Sequence, residues 1–99
     1  DVPSKELNAV SDQYLAGILN GNNYLRVEGN YQQRRIGGRA ALRRRLSGNS
    51  AITNRREIVD VYTTFIGNGR LFYIVQVVPA NEERQYKNAF EQMVASVAF

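Results

Sequence analysis

The chain has 99 residues, of which 43% are hydrophobic and 10% aromatic, as is typical of one globular domain with one core. It has no cysteine and no histidine, which excludes disulfides, thiolate metal sites, the Ser-His-Asp triad and histidine general bases. The formal net charge is +4, and nine of the eleven arginines lie within residues 26–56, where Glu28 is the only acidic residue. This uneven distribution creates a local field that indicates a partner without identifying it.

A first helix is predicted over residues 4–20. Apolar residues recur there at three- and four-residue steps, which places them on one stripe of a helix. The stripe consists of Leu7, Val10, Tyr14, Leu15, Ile18 and Leu19. Ser4, which follows Pro3, is expected to cap the start of the helix, and Gly21 is expected to end it in the left-handed conformation.

Residues 24–47 are predicted to form two strands joined by a tight turn at Gly37-Gly38. Pairing across that turn places Gly29 opposite Leu46. The outer face of this hairpin is wholly polar, as expected where one side of an antiparallel sheet faces water. The residues of that face are Glu28, Asn30, Gln32, Arg34, Arg43 and Arg45. A turn-rich loop is predicted to follow, over residues 47–54.

The same register places Tyr31 opposite Arg44 on the inner face of the hairpin. A cation–π pair is then expected, with the guanidinium lying over the ring. The alternatives are a different register, or an arginine at the end of a strand that extends its charged group to solvent.

Residues 57–66 and 70–78 are predicted as the next two strands, because they are rich in β-branched and aromatic residues and flank Asn68-Gly69, a strong two-residue turn signal. In that register one face of the hairpin is apolar, around Asp60. Its residues are Tyr62, Thr64, Tyr73, Val75 and Val77. Exposed, this face exceeds the apolar patch of an ordinary monomer, so a partner subunit, a missing parent domain or an apolar ligand is expected to cover it. The alternative is that the two helices cover both faces of the sheet.

Pro79 is expected to end the last strand, and Asn81 to cap a final helix whose positive end lies near Glu82 and Glu83. The buried stripe of this helix is predicted to consist of Tyr86, Ala89, Phe90, Met93, Val94 and Val97. The order of elements predicts an α+β domain over residues 1–99, a helix–four antiparallel strands–helix sandwich. Because the chain begins at Asp1 and its last helix runs almost to the end, we interpret it as a fragment of a longer protein.

Six arginines form the candidate basic site: Arg34, Arg39, Arg43, Arg45, Arg55 and Arg56. Guanidinium groups bind phosphates and carboxylates in bidentate fashion, so a nucleic acid or an anionic lipid is one candidate partner. Only Tyr24 and Tyr31 lie near these arginines in sequence to stack against bases. The alternative is a solvated basic face that matches an acidic surface of the parent protein.

No catalytic residue and no cofactor are predicted. Glu57 and Asp60 point to opposite faces of one strand, so together with Glu28 they are not expected to form an acid–base pair. The longest apolar run, residues 71–75, is too short to span a bilayer.

One stretch of the sequence resembles a known family. A strand turn, Arg35-Ile36-Gly37-Gly38-Arg39-Ala40, precedes a hairpin that closes on Gly69-Arg70-Leu71-Phe72-Tyr73, then Val78-Pro79-Ala80 and a helix with Tyr86, Phe90, Met93 and Ser96-Val97-Ala98-Phe99. The pattern resembles the closing part of PsbP-like domains and the related accessory domains that follow the protease domain of some secreted bacterial zinc metallopeptidases. The resemblance covers residues 24–99, although this chain has no tryptophan and lacks the opening strands of that family.

The resemblance implies an extracytoplasmic α/β sandwich that acts in binding or assembly and carries no catalytic residue onto this chain. We therefore expect a non-catalytic module of a larger, exported bacterial protein, periplasmic or secreted, that uses the apolar sheet face and the basic strand edge. The expected partner is a protein or a domain of the parent chain, with a homodimer as one option. The alternative hypothesis is a cytoplasmic nucleic-acid-binding domain that contacts phosphates through the six arginines.

Overall fold

The computed structural model describes residues 5–98 and contains two helices and four strands. The helices are α1 (Lys5–Gly21) and α2 (Glu83–Ala95), and the strands are β1 (Arg26–Ile36), β2 (Arg39–Asn49), β3 (Arg56–Ile66) and β4 (Arg70–Pro79). The strands form one open antiparallel sheet in the order β1-β2-β3-β4, so β1 and β4 are its edges. The predicted α+β class with an antiparallel sheet is confirmed.

The first helix forms as its apolar stripe predicts, with Leu7 and Leu15 buried. The predicted cap, Ser4, and the preceding Pro3 lie outside the described residues. The expected left-handed conformation of Gly21 is wrong, because Gly21 is the last residue of α1 and has no positive φ. The side chain of Asn22 closes the helix instead, since its Nδ2 donates to the carbonyl of Ile18 at 2.9 Å.

The glycine pair between β1 and β2 forms the predicted tight turn. Gly37 and Gly38 both have positive φ, 56° and 79°, the conformation that a two-residue hairpin turn requires. Beside the turn the register is as predicted, with Gln33 opposite Leu42.

Farther from this turn, β1 contains a bulge that the sequence analysis did not predict. The register shifts between Glu28 and Gln32, and Val27 rather than Gly29 lies opposite Leu46. Gly29 has a φ of 74° within the shifted segment, so the glycine accommodates a local conformation that other residues adopt at a cost. The predicted pairing of Gly29 with Leu46 is therefore wrong.

The connection between β3 and β4 is longer than predicted. A three-residue 3-10 turn, Gly67–Gly69, joins the strands, so Phe65 lies opposite Leu71. This register differs by one residue from that of a two-residue turn, and a shift of one residue moves every side chain of β4 to the other face. The predicted apolar face is therefore wrong as a unit, since Tyr62 and Tyr73 lie on opposite faces of the sheet.

The two helices pack on opposite faces of the sheet. On one face α1 contributes Leu15 to a core cluster that includes Val61, and on the other α2 contributes Val94 to a cluster that includes Tyr62. Consecutive residues of a strand face opposite sides, so Val61 and Tyr62 assign the two helices to the two faces. Both clusters draw on several strands: the first also contains Leu25, Leu46 and Val59, and the second Ile36 and Ala41.

The last helix packs less completely than its sequence predicts. Within the predicted stripe Val94 is buried and Phe90 and Val97 are half-buried, whereas Tyr86, Ala89 and Met93 are exposed. The predicted cap Asn81 is wrong, because a 3-10 turn, Ala80–Glu82, precedes α2 and Glu82 occupies the cap position without a side-chain cap bond. Phe99 lies outside the described residues.

Candidate functional site

A buried carboxylate lies at the centre of the predicted basic face. Asp60 on β3 is 6% exposed and lies directly opposite Arg45 on β2. Arg43 donates from Nη2 to Asp60 Oδ1 at 2.7 Å, and Arg45 donates from Nε to Oδ1 and from Nη2 to Oδ2, both at 3.1 Å. Arg45 also forms an ion pair with Glu83 at the start of α2. These contacts connect β2, β3 and α2 through one charge cluster.

The neighbours of Arg45 favour its charged form. The hydrogen bonds to Asp60 raise the pKa of Arg45, with burial acting in the opposite direction and Glu83 adding to the rise. A buried carboxylate without partners is costly, so the two arginines compensate a charge that β3 carries into the structure. The first role of Arg43 and Arg45 is therefore structural.

Two arginines of the predicted site form ion pairs of their own, Arg55 just before β3 and Arg56 as its first residue. Arg56 donates from Nη2 to Glu28 Oε2 at 2.6 Å, and Arg55 lies 3.9 Å from a carboxylate oxygen of Glu82. Both pairs are largely exposed, so water and salt screen them.

The six arginines do not form one continuous basic track. Arg39 begins β2, whereas Arg56 lies opposite Asn49 at the other end of that strand, roughly 33 Å away at the usual rise per residue. Arg39 donates to the carbonyl of Phe65, at 3.5 Å, and Arg34 donates to Gln32 Oε1 at 2.7 Å. Arg34, Arg43 and Arg45, predicted to share one strand face, do line one cavity.

That cavity, of about 650 Å³, lies between the sheet and α2. Part of the sheet face that is predicted to face water therefore lies beneath α2. The α2 residues that line this cavity were not predicted from the sequence. Arg84, Lys87 and Glu91 nevertheless recur at the three- and four-residue spacing of one helical face.

The predicted apolar site is divided between the two faces. Tyr62 is buried and its ring lies 5.6 Å from that of Phe90 on α2. Tyr73, Val75 and Val77 lie on the α1 face of β4 and remain 52%, 39% and 54% exposed.

The first helix contacts β4 at Tyr73. The rings of Tyr14 and Tyr73 are 4.4 Å apart, and burial is the main cause that raises the pKa of Tyr14. Val75 and Val77 extend beyond this contact and remain open to solvent.

Two further exposed apolar side chains belong to α2. Tyr86 and Met93 are seven residues apart, and at about 100° per residue they share one side of α2, opposite Arg84 and Glu91, two of the residues that line the cavity, and next to Phe90, which also lines it. The helix α2 contacts β4, an edge strand of the sheet. We call the combined set the β4-edge surface: Tyr73, Val75, Val77, Tyr86 and Met93.

The two edges of the sheet differ in their protection. β1 carries three arginines and the register shift between Glu28 and Gln32, and both charge and irregular pairing hinder the addition of another strand. β4 is ten residues long, pairs regularly with β3 and has a single charged residue, Arg70, at its start. The unpaired outer side of β4 is therefore the more accessible edge.

The predicted cation–π pair is confirmed. The guanidinium carbon of Arg44 lies 4.6 Å from the centre of the Tyr31 ring, and Arg44 also donates to the carbonyl of Gly29. Tyr31 donates its hydroxyl to Asp12 Oδ1 at 2.6 Å. Burial, followed by this hydrogen bond, raises the pKa of Tyr31 to about 12. Arg44 thus contacts structural neighbours in β1.

The carboxylates considered for acid–base chemistry lie in separate environments. Glu57 accepts the hydroxyl of Tyr24 at 2.7 Å, Glu28 pairs with Arg56, and Asp60 is held by two arginines. Within residues 5–98 no group of three or more potential ligands could hold a metal ion.

Neither helix of the described chain is long and apolar enough to cross a membrane. No protein-family model, no curated protein and no solved structure matches the chain.

Proposed function

We propose that this domain is a non-catalytic protein-binding module that adds an extended segment of a partner protein to its sheet at β4. The contrast between the two edges is the main support. A regular edge strand with little charge presents unpaired N–H and C=O groups that another strand can bind, and natural proteins usually block such an edge. In this chain β1 is blocked and β4 is not.

The side chains beside the edge define the chemistry of the partner. The β4-edge surface contributes apolar groups on both sides of the strand, which fits a segment with β-branched or aromatic residues at alternating positions. The single charge of β4, Arg70, favours an acidic residue at the end of the segment that lies beside it.

The arginine cluster has a supporting role in this proposal. Arg43 and Arg45 hold β2, β3 and the start of α2 together, and α2, which contacts β4, carries the exposed Tyr86 and Met93. The proposal also includes the parent protein that the PsbP-like resemblance implies, a larger exported protein of a bacterium. Fractionation of cells that express the full-length parent protein tests that location.

A display experiment tests the edge directly. The domain is used to select binders from a library of displayed extended peptides as long as β4. Val75→Lys and Val77→Lys place a charge in the proposed contact and are expected to weaken the selected peptides by about tenfold or more. Val27→Lys is the matched control, because Val27 is an exposed valine of similar accessibility on the blocked edge.

Amide hydrogen exchange identifies where the peptides bind. Binding should slow the exchange of β4 amides that face away from β3 and leave β1 unchanged. Equal losses in the three lysine variants, or protection confined to another element, would contradict the proposal. A concentration-dependent dimer that Val75→Lys abolishes would identify a second copy of the chain as the partner. Binding to DNA or RNA that falls steeply with salt would favour the alternative hypothesis.

A further inference from the structure

The cavity between α2 and the sheet has an excess of positive charge. Six cationic side chains line it, against three carboxylates. The cations are Arg34, Arg35, Arg43, Arg45, Arg84 and Lys87, and the carboxylates are Asp60, Glu83 and Glu91. Such a concentration of like charge between two packed elements raises the local concentration of anions.

Three of these cations have no carboxylate partner in the part of the chain that the structure describes. Within residues 5–98 the hydrogen bonds of Arg34 go to neutral oxygens, the Gln33 carbonyl at 2.9 Å and Gln32 Oε1 at 2.7 Å. Neither Arg84 nor Lys87 forms an ion pair within residues 5–98. Asp60 and Glu83, by contrast, are engaged by Arg43 and Arg45.

The remaining lining of the cavity is largely apolar. The rings of Tyr62 and Phe90 lie 5.6 Å apart, and Val94 and Ala95 extend the same wall along α2. Burial raises the pKa of Tyr62, although Arg43 and Arg34 act in the opposite direction, so its hydroxyl is protonated at neutral pH. The volume lies within the range of small-molecule sites, which is about 300–1,000 Å³.

We propose that this cavity is a binding site for a small organic anion with an apolar body, held by Arg34, Arg84 and Lys87 around its anionic group and by Tyr62 and Phe90 along its apolar part. A guanidinium binds a carboxylate or a phosphate through two parallel hydrogen bonds, and an ammonium group adds a further donor. The residues of this site are distinct from those of the β4-edge surface, and the site does not depend on the protein-binding proposal.

Three probes separate the charge of the ligand from its apolar body. Naphthoate combines a carboxylate with an aromatic body, naphthamide has the same body without the charge, and inorganic phosphate has charge alone. Calorimetric titration of the domain should show naphthoate binding at least about tenfold more tightly than either of the other two probes. Salt should weaken the binding of naphthoate more than that of naphthamide.

Substitutions of cavity residues test whether naphthoate binds in the cavity. Arg34→Gln and Lys87→Gln are each expected to weaken naphthoate about tenfold, since a hydrogen bond to a charged group is lost. Arg26→Gln removes the same charge from β1 outside the cavity and should change the affinity by less than about twofold. Equal affinity for naphthoate and naphthamide, equal effects of Arg34→Gln and Arg26→Gln, or no binding of naphthoate would each overturn the proposal. If phosphate binds as tightly as naphthoate, the proposed contact of Tyr62 and Phe90 with an apolar body is wrong.

Discussion

Replacing Asp60 by asparagine tests whether the arginine cluster holds the fold together. The substitution keeps the shape of the side chain but removes its charge, leaving Arg43 and Arg45 beside a neutral amide. The side chains of these arginines are only 15% and 26% exposed, so water cannot fully replace the lost partner. We therefore predict that Asp60→Asn destabilises the domain strongly.

The magnitude follows from burial. Breaking a fully buried ion pair costs about 3–5 kcal/mol, and the partial exposure of Arg43 and Arg45 lowers the expected cost to about 2–3 kcal/mol. Glu28 provides the contrast, because it and its partner Arg56 are 39% and 55% exposed. Pairs of that kind contribute about 0–1 kcal/mol, so Glu28→Gln is expected to cost less than about 1 kcal/mol.

Urea unfolding followed by far-ultraviolet circular dichroism measures both variants. The cost of Glu28→Gln should nearly vanish in about 1 M salt, where the Debye length is about 3 Å, whereas most of the cost of Asp60→Asn should persist. If Asp60→Asn lowers the free energy of unfolding no more than Glu28→Gln does, the buried ion pairs do not stabilise the attachment of β3 to β2 and α2, and the prediction is wrong.

Two further predictions concern a close backbone contact and one tyrosine. A Cβ on Gly48 would lie 1.9 Å from the carbonyl oxygen of Tyr24, so Gly48→Ala should lower the free energy of unfolding in urea by more than about 3 kcal/mol. Gly17 in α1 has nothing within 4 Å of such a Cβ, so Gly17→Ala should raise the free energy of unfolding by up to about 1 kcal/mol. The raised pKa of Tyr31 contributes stability that is complete below pH 10 and lost as the pH rises toward 12, about 1 kcal/mol after solvent screening. In Tyr31→Phe the free energy of unfolding should fall less between pH 10 and pH 12 than in the unmodified domain. An equal fall in the two proteins would show that Tyr31 does not cause it.

Local pattern predicted most of the secondary structure. The apolar stripe of α1, the glycine pair at 37–38 and the β-branched runs of β3 and β4 each depend on a few neighbouring residues, and all of these elements form. The pairing of β1 with β2 was predicted correctly only near the turn, because the bulge around Gly29 lies beyond the reach of the turn signal.

The candidate site was less predictable, since its arrangement depends on contacts distant in sequence. Arg45 is 15 residues from Asp60 and 38 from Glu83, so no local pattern identifies these partners. The contribution of α2 to the cavity was missed for the same reason. The contact between Tyr31 and Arg44 was predicted, because it lies within one hairpin.

The sequence by itself determined the chemistries that are excluded, the α+β class and the approximate positions of the helices and strands, because composition and periodicity are local properties of the chain. Only the tertiary structure decided which faces those elements share. Side chains alternate along a strand, so the three-residue turn Gly67–Gly69 placed Tyr73, Val75 and Val77 on the α1 face of the sheet and left Tyr62 on the α2 face. The lengths of turns and the packing of distant elements together determine that register, and contacts between residues distant in sequence determine which arginines are paired.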